Sequence, residues 1–373
     1  MAIMARSQSA TAVAPKVFSG CVDVGNYDSK AFFYDDSKHA LSSWIPSTIL
    51  EMGSGHARLK DASSTTRNVS SDPYKAYITV IFRDKTYIVG YGAMIQSNLS
   101  TSQFGNQERY YSEEQLLRTL VAIALATRYQ NSVVDLVTTA PFKYLTNRLK
   151  GLIYKTLQGT HQIIVNGTPY SITLNLKRVY VEGYPAFALI SNPDPSNDQV
   201  RIMIDGGSNT FDLLTFYGNE PMSSKCRCFD RLGVNNIAEY VEEEVMQYHS
   251  RSLQKHEVQD ILRAYGSQGT HNPIPCPKFA VGTSTIGSKE LYTIVRQGAA
   301  ILAKDVKEEA AHLWGVNGGL IAGDIGQQTM MGGAVGLSFN ELKAYMGRLE
   351  TLDQPNWGNA KGGAALALAM QQQ

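Results

Sequence analysis

Residues 17–36 read VFSGCVDVGNYDSKAFFYDD: an apolar run that ends in Asp23, turns through Gly25, Asn26 and Tyr27, and resumes as the β-prone AFFYDD. Asp, Gly and Asn tolerate the backbone angles of a tight turn, which accounts for the reversal but not for Lys30. Residues 200–219, VRIMIDGGSNTFDLLTFYGN, repeat the pattern, with Asp205 at the end of an apolar strand, Gly207 two positions on, and a second strand after small polar residues. Backbone N–H groups in such turns can cradle phosphate, because glycine permits close approach and hydroxyl or amide side chains add donors. The first turn offers Gly25, Asn26, Tyr27 and the point charge of Lys30; the second offers Gly207, Ser208, Asn209 and Thr210. Asp23 and Asp205 suit a hydrated Mg²⁺, which prefers carboxylates through water. The matching order and setting of the two turns predict two lobes of related topology, each opening on a hairpin that faces a shared cleft.

The 373 residues exceed one ordinary core, so two domains or two lobes are expected. With 43% hydrophobic and 18% charged residues the composition is that of a globular protein, and a formal charge of +1 provides no general field for direct nucleic-acid binding. Cys21, Cys226, Cys228 and Cys276 are too few for a disulfide scaffold, and the Cys226-Arg227-Cys228 spacing does not suit zinc, so reduced thiols and a cytoplasmic location are expected. The N-terminal MAIMARSQSATAVAPK lacks the apolar core of a signal peptide and reads as a mobile tail over 1–16. The apolar runs LVAIALA and AALALAM fall short of the roughly 20 residues that span a bilayer, so no membrane partner is expected.

Strand-like and helix-like segments alternate throughout, which argues an α/β fold. A Ser-rich stretch from Ser47 to Lys75 reads as loop, and AYITVIFRDKTYIVGYGAM as a hairpin turning at Arg83-Asp84-Lys85; together they suggest a small subdomain over about 33–100. Ser112 with Glu113, Glu114 and Gln115 starts a helix that carries Leu116, Leu117, Leu120, Ile123 and Ala124 at helical spacing. SVVDLVTTAP reads as a buried strand, FKYLTNRLKGLIYKTL as a connecting helix, and Asn166-Gly167 as a hairpin turn. Helices are predicted over 235–249, 255–266 and 288–314, the last with a stripe of Leu291, Ile294, Val295, Ile301, Leu302, Val306, Ala310 and Leu313. The tail from Phe339 to Met370 reads as helical. The expected division is lobe I over 17–200 plus 338–373, and lobe II over 201–337 with a small subdomain at about 221–275.

DVGNYDSK resembles the first phosphate motif of the actin superfamily, and IDGGSNTFD resembles the second, with Asp205, Gly207, Thr210 and Asp212 on the matching positions. YVEGYPA, at 180–186, is similar to the segment before the second phosphate loop in the ParM/StbA branch of plasmid-segregation actin-like proteins, and PNWGNAKGGAALA to that branch's closing NA-x-G tail. The resemblance implies an actin-like two-lobed ATPase fold of duplicated ribonuclease H-like domains, with ATP, or GTP, and Mg²⁺ in the cleft. It implies that Glu182 orients the attacking water, and that Asp23 and Asp205 organise the metal. The adenosine position falls on IAGDIG, with Gly323, Asp324 and Gly326, or on MMGGAVG at 330–336; Gly233 and Asn236 are further adenosine candidates. It implies self-association into head-to-tail filaments and a small DNA-binding adaptor of ParR type on a plasmid centromere. A sugar-type kinase, an archaeal cytoskeletal protein and a chaperone-like ATPase stand as alternatives; the last is disfavoured for lack of a peptide-binding module.

Overall fold

The computed structural model describes residues 14–53, 73–96, 107–190, 199–218, 220–266, 279–281, 284–314 and 325–372. The Ser-rich segment 54–72, most of the predicted N-terminal tail, Cys276, Gly323 and Asp324 lie outside them. In chain order the first part comprises β1 (Lys16–Val24), β2 (Asp28–Asp35), β3 (Ala40–Pro46), β4 (Ile49–Glu51), β5 (Ile78–Phe82), β6 (Lys85–Val89), α1 (Tyr91–Gln96), α2 (Glu113–Thr127), β7 (Asn131–Ala140), α3 (Asn147–Leu157), β8 (Gly159–Val165), β9 (Thr168–Val181) and α4 (Tyr184–Ile190). The second comprises β10 (Val200–Gly206), β11 (Thr210–Tyr217), β12 (Glu220–Pro221), β13 (Arg227–Asp230), α5 (Val234–His249), α6 (Lys255–Gly266), β14 (Phe279–Val281), β15 (Ser284–Ile286), α7 (Ser288–Trp314), β16 (Ile325–Met331), α8 (Val335–Met346), β17 (Leu349–Thr351) and α9 (Gly358–Gln371).

Among the described residues β1–β9 form one nine-stranded sheet in the order β3-β2-β1-β7-β9-β8-β5-β6-β4. The parallel pairs β1/β7 and β7/β9 make its centre. A second sheet runs β12-β11-β10-β16-β17, with β13 alongside β11 and with β10 parallel to β16. Each sheet has its own apolar core. In the first, Leu116, Leu117, Leu120 and Ile123 of α2 are fully buried beneath β1–β3. In the second, Ile237 and Val241 of α5 pack with Leu291, Val295 and Leu302 of α7 and Leu342 of α8.

Local chemistry explains many of the boundaries. Ser112 caps α2 by accepting the Gln115 N–H, and Thr146 caps α3 by accepting the Leu149 N–H, so α3 begins later than the predicted connecting helix. Arg83 and Asp84 take left-handed φ values of 49° and 62°, and Asn166 and Gly167 take 49° and 79°; both two-residue turns carry the twist that antiparallel strands need.

Four expectations change. Asp28 and Lys30 belong to β2 and not to the turn, since Lys30 sits opposite Asp23 in the ladder. Ile301 is 48% exposed, because its direct neighbour Leu302 occupies the buried face that Val295 and Val306 also define. The tail is not continuously helical: Gly347 ends α8 at φ 58°, and β17 then pairs with β16. The region about 33–100 joins the main sheet, through β2/β3 at one end and β5/β8 at the other, without forming a sheet of its own. α8 and β17 pack with the second sheet, whereas α9 lies across β1, β2 and β7. Two glycines permit that contact, for a Cβ on Gly363 would stand 2.5 Å from Cys21 Sγ and one on Gly362 would stand 1.9 Å from the Pro185 carbonyl oxygen.

Candidate functional site

The two hairpins have the same frame. In β1/β2, Asp23 faces Lys30 across the ladder and the Gly25 N–H closes the turn on the Asp28 carbonyl at 2.9 Å. In β10/β11, Asp205 faces Asp212 and the Gly207 N–H closes the turn on the Thr210 carbonyl, also at 2.9 Å. Position for position, Asp23 matches Asp205, Gly25 matches Gly207, and Lys30 matches Asp212. Both turns open into one cavity of about 560 Å³ between the two sheets, a volume suited to a nucleotide.

Of the residues expected at the phosphates, Gly25, Asn26, Tyr27, Lys30, Gly207, Ser208 and Thr210 line this cavity, together with Asp23, Glu182 and Asp205. Asn209 does not: its side chain pairs with Asn235 Nδ2 at the start of α5. Gly233 and Asn236 also stand behind the cavity wall. The Gly233 N–H donates to Asn236 Oδ1 at 2.8 Å, and a Cβ at 233 would lie 2.3 Å from the Ser208 carbonyl oxygen. That close approach lets the N–H groups of Val234 and Asn235 hold the carbonyls of Gly207 and Ser208 at 3.1 and 2.8 Å. Gly326 lies within β16, away from the lining residues, whereas Gly332 and Gly333 of MMGGAVG line the cavity with Leu337 of α8. Gly332 has φ +91°, and a Cβ there would stand 2.4 Å from the Gly206 carbonyl oxygen and 2.7 Å from Asp205 Oδ1.

Residues 21–184 match the family described as actin like proteins, N terminal domain. No curated protein sequence matches the chain. Among solved structures, the ParM filament of 15 strands from Clostridium botulinum superposes with TM-score 0.70 at 17% identity, over 96% of this chain and 100% of that one. ParM from Bacillus thuringiensis with ATP gives 0.65 at 16% identity, over 96% and 100% of the two chains. An archaeal actin homologue gives 0.67 at 15% identity, over 95% and 99%. The fold is actin-like.

The actin-like cleft concentrates negative charge. Burial, then the nearby Asp23, pushes the Asp205 carboxyl up to about 7, against the pull of the Asn359 amide and Lys30. Burial and Asp205 push Asp212 up to about 8, and burial with Asp212, Asp23 and Asp205 holds Glu182 well above the ordinary range. Asp23 is raised by burial, partly offset by Lys30, by a hydrogen bond from Thr139 Oγ1 at 3.3 Å, and by Arg109. Among the described residues no three His, Cys, Asp or Glu side chains converge as direct metal ligands. Carboxylates spread around a cavity and repelling one another fit a cation held through its water shell.

Several residues of the cleft carry no local sequence signal. Arg109, buried, donates from Nη2 to the Val24 carbonyl at 3.2 Å and steadies the first turn. Asn359, in the first turn of α9, accepts the Gly183 N–H at 2.8 Å and donates to Asp205 Oδ2 at 2.9 Å. At the far side, α6 reaches the first sheet's edge: Asp260 accepts from Lys75 Nζ at 3.1 Å and from the Tyr91 hydroxyl at 3.0 Å. The Arg263 guanidinium lies 3.5 Å from the Tyr74 ring centre, and the Tyr74 hydroxyl donates to Asp28 in the first hairpin. The three described cysteines are free, Cys21 and Cys226 buried and Cys228 half-buried, in keeping with reduced thiols. No helix among the described residues is long and apolar enough to cross a membrane.

Proposed function

We propose that this actin-like chain hydrolyses ATP, or GTP, in the cleft and uses the cycle to assemble head-to-tail filaments that segregate plasmid DNA through a small ParR-type adaptor. The observation that carries the proposal is the pair of superposable hairpins, Asp23–Lys30 and Asp205–Asp212, opening into one cavity beside Glu182. The turn N–H groups and the hydroxyls of Ser208 and Thr210 receive the phosphate oxygens, and Lys30 neutralises part of their charge. Asp23 and Asp205 would hold Mg²⁺ through water; when bound, the ion masks charge on the phosphates and lowers the proton affinity of the surrounding carboxylates. Glu182, ionised in that setting, orients a water and takes its proton. Phosphoryl transfer asks mainly for positioning and electrostatic stabilisation, which these groups supply. A nucleotide bound to both hairpins bridges the two sheets, so its presence sets their relative position and thereby the surfaces that meet in a filament. Such contacts are heterologous and open-ended. Two of the structural relatives support the reading: one is a ParM filament, another a ParM with ATP.

The test is phosphate release with ATP and Mg²⁺ together with electron microscopy of the same samples. Wild type is expected to release phosphate and form filaments. Glu182→Gln should bind nucleotide and form filaments while hydrolysis slows by about a hundredfold or more. Unchanged release in Glu182→Gln removes Glu182 from the chemistry, and an absence of both filaments and hydrolysis in wild type overturns the reading.

A further inference from the structure

We infer that Asn359 is a positioning residue that locks the Glu182 turn to the Asp205 carboxylate, fixing the water-orienting group relative to the cation-holding one; the inference rests on the hydrolysis reading above. Asn359 is 4% exposed and lies far along the chain from both partners, on α9. Its side-chain oxygen is occupied by the Gly183 N–H at 2.8 Å. The NH₂ end therefore faces Asp205, where it donates to Oδ2 at 2.9 Å. Each end of the amide fixes the orientation of the other.

No other small side chain can do both. Aspartate would set an oxygen against the Asp205 carboxylate, and alanine or serine would not span the gap. Glutamine is a methylene longer than the span that asparagine fills. A Cβ on Gly358 would already stand 3.0 Å from Ala186 Cβ, and the Gly362 position touches the Pro185 carbonyl, so α9 and α4 are at contact distance. The charged groups around this link are Asp23, Glu182, Asp205, Asp212, Lys30 and Arg109. Among them the Asn359 amide is a neutral donor that favours the ionised form of Asp205, the form a hydrated cation needs.

Asn359→Ala and Asn359→Asp are tested in the full chain, by the pH dependence of steady-state hydrolysis and by urea unfolding without nucleotide between about pH 5.5 and pH 8. Asn359→Ala is expected to lower kcat about tenfold or more, as for loss of a partner that orients a ligand, with KM changed far less. Asn359→Asp should fold at the lower pH and lose stability more steeply than wild type as pH rises, since a second carboxylate then faces Asp205. A lower melting temperature in Asn359→Ala with kcat intact across the pH range would reduce Asn359 to a structural role and overturn the inference. Wild-type pH dependence of stability in Asn359→Asp would show that residue 359 does not face Asp205, and would overturn the inference even if Asn359→Ala does not fold. If the wild-type protein hydrolyses nothing, the hydrolysis reading fails, while the unfolding arm still reports whether residue 359 faces Asp205.

Discussion

Asp205→Asn is expected to stabilise the ligand-free protein while abolishing its Mg²⁺-dependent nucleotide binding. The carboxyl is 7% exposed and is raised from 3.8 to about 7, by burial first and by Asp23 second. A carboxyl whose folded pKa lies above its unfolded value contributes most favourably below the unfolded value, and that contribution is lost as pH rises through the folded one. With about 1.36 kcal/mol per unit, the raised pKa of Asp205 disfavours the folded state by about 4 kcal/mol at pH 8, where the carboxyl is ionised in both states, and by about 2 kcal/mol at pH 5.5, where it is ionised only in the unfolded chain. Asparagine at 205 still accepts from Asn359 Nδ2 through its oxygen and never ionises. The variant's advantage over wild type should therefore grow by about 2 kcal/mol between those pH values. Removing this charge also relieves Asp212 and Glu182, both of which Asp205 raises, and this acts in the same direction. Urea unfolding at the two pH values without nucleotide measures the gap, and calorimetry with ATP and Mg²⁺ measures binding. A gap that does not change with pH, or a variant less stable than wild type at pH 8, would refute the account of a buried and uncompensated carboxylate. Full Mg²⁺-dependent affinity in the variant would remove Asp205 from the cation site.

Two further expectations concern the walls of the cleft. Gly332→Ala, at φ +91° and against the Gly206 carbonyl and Asp205 Oδ1, should cost about 2 kcal/mol or more and weaken nucleotide binding, whereas Gly333→Ala, with no protein atom near its Cβ position, should leave the melting temperature unchanged; equal effects on stability would discredit the packing of this turn on the second hairpin. Asp260→Asn removes the charge that accepts from Lys75, a partly exposed pair worth about 1 kcal/mol, so stopped-flow nucleotide release should quicken about fivefold, and an unaltered rate would show that this contact does not hold the cleft.

The hairpins were legible because their information is local. A run of alternating apolar residues, an Asp at its end and a Gly two positions on specify strand, turn and charge within about ten residues, and the second copy confirms the frame. Lys30 was legible as a cation of the cleft but not as part of a strand, since only the register with Asp23 reveals that β2 begins at Asp28. Asn359 was visible only as part of a familiar tail. Its partners Gly183 and Asp205 lie on other elements, and no local pattern reports a hydrogen bond across the fold. The joining of the β5/β6 hairpin to the main sheet escaped for a related reason: β5 meets β8 through just two residue pairs, a pairing decided by the fit of the whole sheet. Ile301 fell off its predicted stripe because a helix of 27 residues offers several apolar rows, and the core selects one.

The position of α9 in the chain has a consequence during synthesis. Translation delivers Asp23 first, Glu182 and Asp205 much later, and Asn359 only after all the strands and helices described before α9. A nascent chain can pair β1 with β2 and β10 with β11 while the last helix is still inside the ribosome, but in that state the Gly183 N–H and the Asp205 carboxylate lack their common partner. Premature termination at any point before Asn359 therefore leaves the cleft chemically unfinished, and a cell that accumulates truncated products would not accumulate truncated subunits with a completed site.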